Sequence, residues 1–107
     1  MTENTVSFTA QTQMEGGTAI IDLHGEINSM ADAAMEAACT AAMVESPEKI
    51  VLDFTAVDYI NSTGIALIIG VLAQARTARI PLSATGLSNH YREIFAITRL
   101  SDFIEIQ

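Results

Sequence analysis

The chain has 107 residues, half of them hydrophobic, and glycine and proline are few (6 and 2). That length and composition give one globular domain over residues 1–107, able to bury roughly 60–70% of its unfolded surface, and they exclude a disordered chain. A net charge of −8, from 13 acidic and 5 basic residues, argues against nucleic acid and anionic membrane surfaces as partners.

Other classes fall as quickly. The longest apolar run, Ile65 to Ala73, is short of the roughly 20 residues a spanning helix needs, so no membrane insertion is expected. No basic segment followed by an apolar one opens the chain, so no secretory signal is read. The lone cysteine, Cys39, can form neither an internal disulfide nor a thiolate cluster, and the expected compartment is the cytoplasm. The charge is uneven: residues 1–75 hold ten acids and one base, whereas residues 76–107 hold three acids and four arginines. An acidic face is first a solubility feature and second a docking surface for a basic partner.

Val6, Phe8 and Ala10 alternate as in a short edge strand, and Gly16–Gly17 is a hairpin turn. Thr18 to Ile27 is a second strand, with Gly25 marking its end. Asn28 and Ser29 offer helix caps, and Asp32 complements the helix N-terminus. Residues 30–44 are Ala-rich and helical until Ser46–Pro47 breaks the pattern. Lys49 to Thr55 is a strand whose continuous Ile50–Val51–Leu52 run predicts cover on both faces. Ala56 to Ile60 is a short linker. Ser62 to Ala78 is a helix with almost no polar face before Gln74, hence buried against a sheet or a partner, with Ile65, Leu67 and Ile68 in the core. Ile80 to Ala84 is a short strand ended by Gly86. Asn89 to Thr98 is a third helix, with Tyr91, Ile94, Phe95 and Ile97 as its apolar set. Phe103, Ile104 and Ile106 close the chain as a strand or helical turn. Alternating strands and helices predict an α/β fold with a mixed, mainly parallel sheet, and residues 49–84 form a right-handed crossover.

The stretch Asp58-Tyr59-Ile60-Asn61-Ser62-Thr63-Gly64-Ile65 joins a central strand to a buried helix. It lies at the carboxyl end of the strand, where ligands and partners meet open α/β sheets. Ser62 can cap that helix through its side-chain oxygen. It can also take a phosphate, because a helix N-terminus presents free N–H groups and the positive end of the dipole. A phosphate would add roughly −1.5 to −2 charges to an acidic surface and leave the core alone. The residues favour the cap, and the phosphate is the alternative.

Other arrangements carry less. No Gly-rich run ends in Lys-Ser/Thr, so there is no phosphate-binding loop. His24 and His90 are isolated, and a phosphoryl carrier at His24 competes with a plain surface histidine. Cys39 sits in an Ala-rich pattern and reads as a buried small hydrophobe. Asp53 and Asp58 are better suited to solvation and turn bonding than to an acid pair. No nucleophile–base–acid set is present, so the chain is not expected to be an enzyme, and no cofactor or metal is expected.

Three segments resemble an STAS domain of the anti-sigma factor antagonist family. "IDLHGEIN" (21–28) is similar to the family's second strand and its Gly-Glu-Leu-Asp ending. "KIVLDFTAVDYINSTGIALIIG" (49–70) resembles the central strand, loop and Asp-Ser-Ser/Thr-Gly-Leu/Ile motif, and is the specific one. "LSNHYREIFAITRLSDFIEI" (87–106) resembles the closing helix and tail. The resemblance implies a partner-switching regulator. The unphosphorylated form binds a serine/threonine kinase-type anti-sigma factor, phosphorylation ends the interaction, and a phosphatase resets it. The implied phosphoacceptor is Ser62, with Thr63 as the secondary candidate. The partner is expected over residues 56–62, the start of the following helix and the tip near Glu26 and Asn28, so Glu26, Asn28, Asp58, Tyr59, Asn61, Ser62, Thr63 and Gly64 form the candidate surface. Gly64 either lets the partner backbone come close or packs helix on sheet, and a bulky replacement there is expected to hurt docking more than folding. Asn61 and Asn28 stand where the family usually has Asp, and each replaces a carboxylate by a neutral amide. The alternative role is a constitutive subunit of a larger assembly, such as a lipid-transport ATPase, in which Ser62 only caps.

Overall fold

The computed structural model describes residues 8–107. Val6, expected in the first strand, lies outside them. β1 (Phe8–Glu15) and β2 (Thr18–Ile27) form the expected antiparallel hairpin around Gly16–Gly17. A 3-10 turn at Ser29–Ala31 leads into α1 (Asp32–Val44), which is followed by β3 (Lys49–Ile60), α2 (Ser62–Thr77), β4 (Leu82–Thr85), α3 (Asn89–Ile97), a second 3-10 turn at Leu100–Asp102 and β5 (Glu105–Ile106). The strands lie side by side in chain order, and every pair after β1–β2 is parallel. The fold class is therefore the predicted one, and the chain's tail is both a helical turn and a strand.

The sheet is covered on one face, not two. Ala19, Ile21 and Leu23 of β2 and Ile50, Leu52 and Phe54 of β3 are buried. The residues between them, including Ile20, Asp22, Val51 and Asp53, are half-buried. Each crossover steps to the next strand in the same direction, and crossovers of one hand that step one way put their helices on one face. Val51 thus belongs to the open face, although its neighbours made the run look continuous. The open face is correspondingly polar, with Gln11, Asp22, His24, Asp53 and Thr55 on neighbouring strands. Ser83 is the buried polar residue there, and its hydroxyl donates to Glu105 Oε1 at 3.2 Å.

Small side chains let the helices approach the sheet. α1 turns Met35, Ala38, Cys39 and Ala42 inward, a helical spacing. Thr12 Oγ1 ties β1 to α1 through the Ala38 carbonyl at 2.8 Å. The Cys39 thiol is buried and faces Gln74 Oε1 of α2 at 3.2 Å. Burial, then the nearby Glu36 charge, pushes that thiol above its ordinary pKa, so it is held as a neutral hydrophobe. α3 is capped by Ser88, whose hydroxyl accepts the Tyr91 N–H at 3.3 Å. Phe95 of α3 meets Phe54 edge to face, with centroids 5.9 Å apart, an arrangement worth about 1 kcal/mol beyond the area buried.

Two further expectations change. β2 spans Thr18–Ile27 as expected, but Gly25 does not mark its end. It passes through that residue at φ +99 and pairs with β3 as far as Ile27. Nor is 56–60 a linker, since these residues continue β3 beside β2. Periodicity failed there for a physical reason. β3 carries extra residues at two register shifts, between Asp53 and Ala56 and between Val57 and Tyr59. Each such bulge breaks the alternation of faces.

Asp53 sits at the first shift, where Oδ1 accepts the Thr55 N–H at 2.9 Å. Burial pushes its carboxyl up. Hydrogen bonds from the Thr55 side chain and backbone, aided by Asp22 and His24, outweigh burial and hold it below the ordinary aspartate value. A depressed folded-state pKa means that the unfolded chain binds more protons. The stabilisation is therefore complete above the unfolded pKa of about 3.9 and is lost as pH falls through the folded one. A carboxylate NMR titration should place Asp53 below a model aspartate, and Thr55→Val should move it upward. An unchanged value in Thr55→Val would contradict this assignment.

Candidate functional site

The site is built where β2 and β3 end and α2 begins. Ile27 and Ile60 are register partners, and Glu26 is paired with Tyr59. The chain leaves β3 at Asn61, whose N–H donates to the Ile27 carbonyl at 3.2 Å. Asn61 then caps α2, with Oδ1 accepting the Gly64 N–H at 2.8 Å. Asn28 does the same one strand away, accepting the Met30 N–H at 2.9 Å. Both asparagines are thus caps, a task an amide oxygen performs as well as a carboxylate does.

This settles the local role of Ser62, which is not the cap. It is the first residue inside α2, exposed, and its hydroxyl has no hydrogen bond among the described residues. Thr63 is exposed beside it. The first turn of a helix leaves backbone N–H groups without intrahelical partners. Asn61 takes the one on Gly64, so those of Ser62 and Thr63 remain toward solvent. An anion on Ser62 would meet these donors and the positive end of a helix that carries no charged side chain before Arg76.

Gly64 belongs to folding and not to docking. It is buried, and a Cβ built on it would lie 2.0 Å from the Ile27 carbonyl oxygen and 3.0 Å from Ile60 Cγ2. No partner backbone can reach it, so it leaves the candidate surface. The close approach predicts that a bulky residue there costs folding, against the expectation that it would hurt docking more than folding.

The remaining candidates converge. Glu26, Asn28, Asp58, Tyr59, Asn61, Ser62 and Thr63 all lie at this end of the sheet, and Asp58 is the extra residue of the second bulge. Glu26 and Asp58 are exposed. Tyr59 is 51% exposed. The end of β3 is fastened from below by Tyr91 of α3, whose hydroxyl accepts the Ile60 N–H at 2.9 Å. Sequence reasoning placed Tyr91 only in the apolar face of α3. It also missed Met30, which is 77% exposed on the turn that packs against α2. The available signal was a large hydrophobe directly after two cap residues. Met30 and Tyr59 give this acidic end an apolar component, as protein-docking surfaces have. Among the described residues no three His, Cys, Asp or Glu side chains are grouped to hold a metal ion. No helix among the described residues is long and apolar enough to cross a membrane.

Two stability measurements follow. Gly64→Ala should cost about 3 kcal/mol by overpacking against Ile27, lowering the melting temperature by more than about 10 °C in a domain of this size. A melting temperature within a few degrees of the parent would contradict the close approach. Asn61→Ala should cost about 1 kcal/mol, while Asn61→Asp should stay close to the parent. Equal losses in both variants, read by urea denaturation, would show that the cap is not what Asn61 contributes.

Comparison with known proteins agrees with this geometry. A family model described as "Mlab, STAS domain" matches residues 10–105. The anti-sigma-B factor antagonist of Listeria monocytogenes is 32% identical over 83 residues, covering 78% of this chain and 73% of that protein. An anti-sigma factor antagonist from Mycobacterium paratuberculosis has a similar structure, with a TM-score of 0.79 and 21% identity over 94% of this chain and 85% of that one. The Bacillus cell fate determinant SpoIIAA in its phosphorylated form superposes with a TM-score of 0.70 at 20% identity, over 92% of this chain and 91% of that one. With its one-sided sheet and its capped α2, the chain belongs to the STAS domain, anti-sigma factor antagonist family.

Proposed function

We propose that this protein is a partner-switching regulator that acts in the cytoplasm and is not itself an enzyme. Its unphosphorylated form binds a serine/threonine kinase-type anti-sigma factor through the surface of Glu26, Met30, Asp58, Tyr59, Ser62 and Thr63. The partner transfers the γ-phosphoryl group of ATP to Ser62 Oγ, ADP leaves, and the serine proton passes to a base on the kinase. A phosphatase reverses the step by hydrolysis.

The observation that carries this reading is the division of labour at the start of α2. Asn61 holds the cap, so Ser62 is free of structural duty and exposed. Its hydroxyl can be esterified without loss of a native contact. The product dianion would be accommodated by free N–H groups, so the fold would survive. It would also place roughly two negative charges beside Glu26 and Asp58, on the surface a partner must touch. Docking changes while the core does not, which is what a reversible switch needs. The relatives named as anti-sigma factor antagonists, and a structural neighbour solved in a phosphorylated form, support the same reading.

The test is affinity capture from the source cells with tagged Ser62→Ala and Ser62→Glu chains, quantified by mass spectrometry. Ser62→Ala should recover an ATP-binding, kinase-type partner, and Ser62→Glu should recover at least about tenfold less, as expected when charge repulsion of a few kcal/mol enters an interface. Both variants should melt within a few degrees of the parent. Equal recovery by the two would instead indicate a constitutive subunit in which Ser62 is never switched.

A further inference from the structure

We propose that the C-terminal half of α2 carries a second docking surface, which accepts an acidic amphipathic helix of another protein. It lies at the other end of α2 from Ser62 and does not depend on the switch reading.

Two adjoining hollows of about 430 and 400 Å³ lie between α2 and the chain's closing segment, and both are lined by Leu72, Arg76 and Phe103. Together they make one trough. Ile69 lies toward one end, and Arg79 and Ile80 toward the other. Ile69 is 48% exposed and Phe103 53%. Two large hydrophobes of this kind in one trough are more than scattered surface apolarity. From Ile69 to Arg76 the trough follows α2 for two helical turns, about 10 Å. That is the length over which a partner helix presents residues at i, i+3, i+4 and i+7.

Charge selects the occupant. The chain has five basic side chains against a net charge of −8, and two of them, Arg76 and Arg79, line this trough. No acidic residue lines either hollow. Arg76 lies over the Phe103 ring at 4.9 Å, so the cation is held beside the apolar floor. The one ion pair among the described residues joins Arg99 to Asp102, which leaves Arg76 and Arg79 without a carboxylate partner. A segment with an apolar stripe flanked by Asp or Glu would satisfy both the floor and the rim. A second copy of this chain would have to present its own acidic surface here, in a head-to-tail contact that builds a ring or an open filament. An anionic membrane is opposed by the charge of the rest of the molecule.

The experiment is an amide NMR titration of the full chain with two synthetic peptides of about four helical turns. Both carry leucines on one face, flanked by glutamates in the first and by lysines in the second. The glutamate peptide should bind, with shifts centred on Ile69, Arg76 and Phe103, and should weaken as salt is raised from about 0.05 to 0.3 M. Arg76→Glu/Arg79→Glu should weaken it by about tenfold or more, while the melting temperature falls by no more than a few degrees through loss of the Arg76–Phe103 contact. Should that pair disturb folding, Arg79→Glu alone, at an exposed turn, should still weaken binding several-fold. Failure to bind the glutamate peptide, equal binding of the lysine peptide, or binding indifferent to the arginines would overturn the proposal. So would self-association in light scattering that Ile69→Glu abolishes, or binding of anionic phosphatidylglycerol vesicles through the same residues. Shifts confined to residues 58–63 would show that the peptide had found the switch surface instead.

Discussion

The structure depends on one close approach. The first turn of α2 sits directly on the last residues of β2, near enough that Gly64 has no room for a Cβ beside the Ile27 carbonyl. The same carbonyl accepts the Asn61 N–H, and Asn61 in turn holds the Gly64 N–H. One carbonyl, one amide side chain and one missing methyl therefore fix where the helix starts. Ser62 and Thr63 lie between Asn61 and Gly64, so their exposure is a consequence of that anchoring. A looser junction would let the first turn fray, and the hydroxyl would have no defined place on the surface.

The strand order determines the rest. Because β2 to β5 follow one another without reversal, all the crossovers step the same way and one face of the sheet stays open. The core lies between that sheet and the helices, with Ile21, Leu23, Ile50, Leu52, Ile68 and Phe95 at its centre. α2 lies over this core and reaches two surfaces of opposite character. Its start is flanked by exposed Glu26 and Asp58, while its far end meets Arg76 and Arg79, which have no carboxylate partner among the described residues. The charge asymmetry of the linear sequence thus becomes an asymmetry along a single helix. Such a helix can hold a site that is switched and a site that is not, several turns apart.

Much of this was legible in the chain. Gly16–Gly17, the Ala-rich helix and the break at Ser46–Pro47 announce themselves through local chemistry, and so does the cap residue Asn28. These are short-range effects that need no knowledge of the fold. The illegible parts depend on tertiary neighbours. Val51 looked buried because two buried residues enclose it, and only the number of covered faces decides its place. Residues 56–60 looked like a linker because two bulges hide the alternation of a strand. At the start of α2 three adjacent residues could each have capped. The sequence favoured Ser62, but the route of the chain from Ile60 makes Asn61 the residue with extended backbone geometry. Gly64 allowed two readings until Ile27, far away in sequence, was seen beneath it. The family resemblance pointed to Ser62 as the proposed switch residue, and the geometry supplies the reason its hydroxyl is available.

The central claim is that Ser62 is exposed and uncommitted so that it can carry a phosphate. Its most direct test is intact-mass measurement and site mapping on the protein recovered from its own cells, in resting and stressed cultures. The account predicts a single phosphate on Ser62 whose occupancy changes with condition. A chain that carries no phosphate under any condition, or carries it only away from the start of α2, would contradict it.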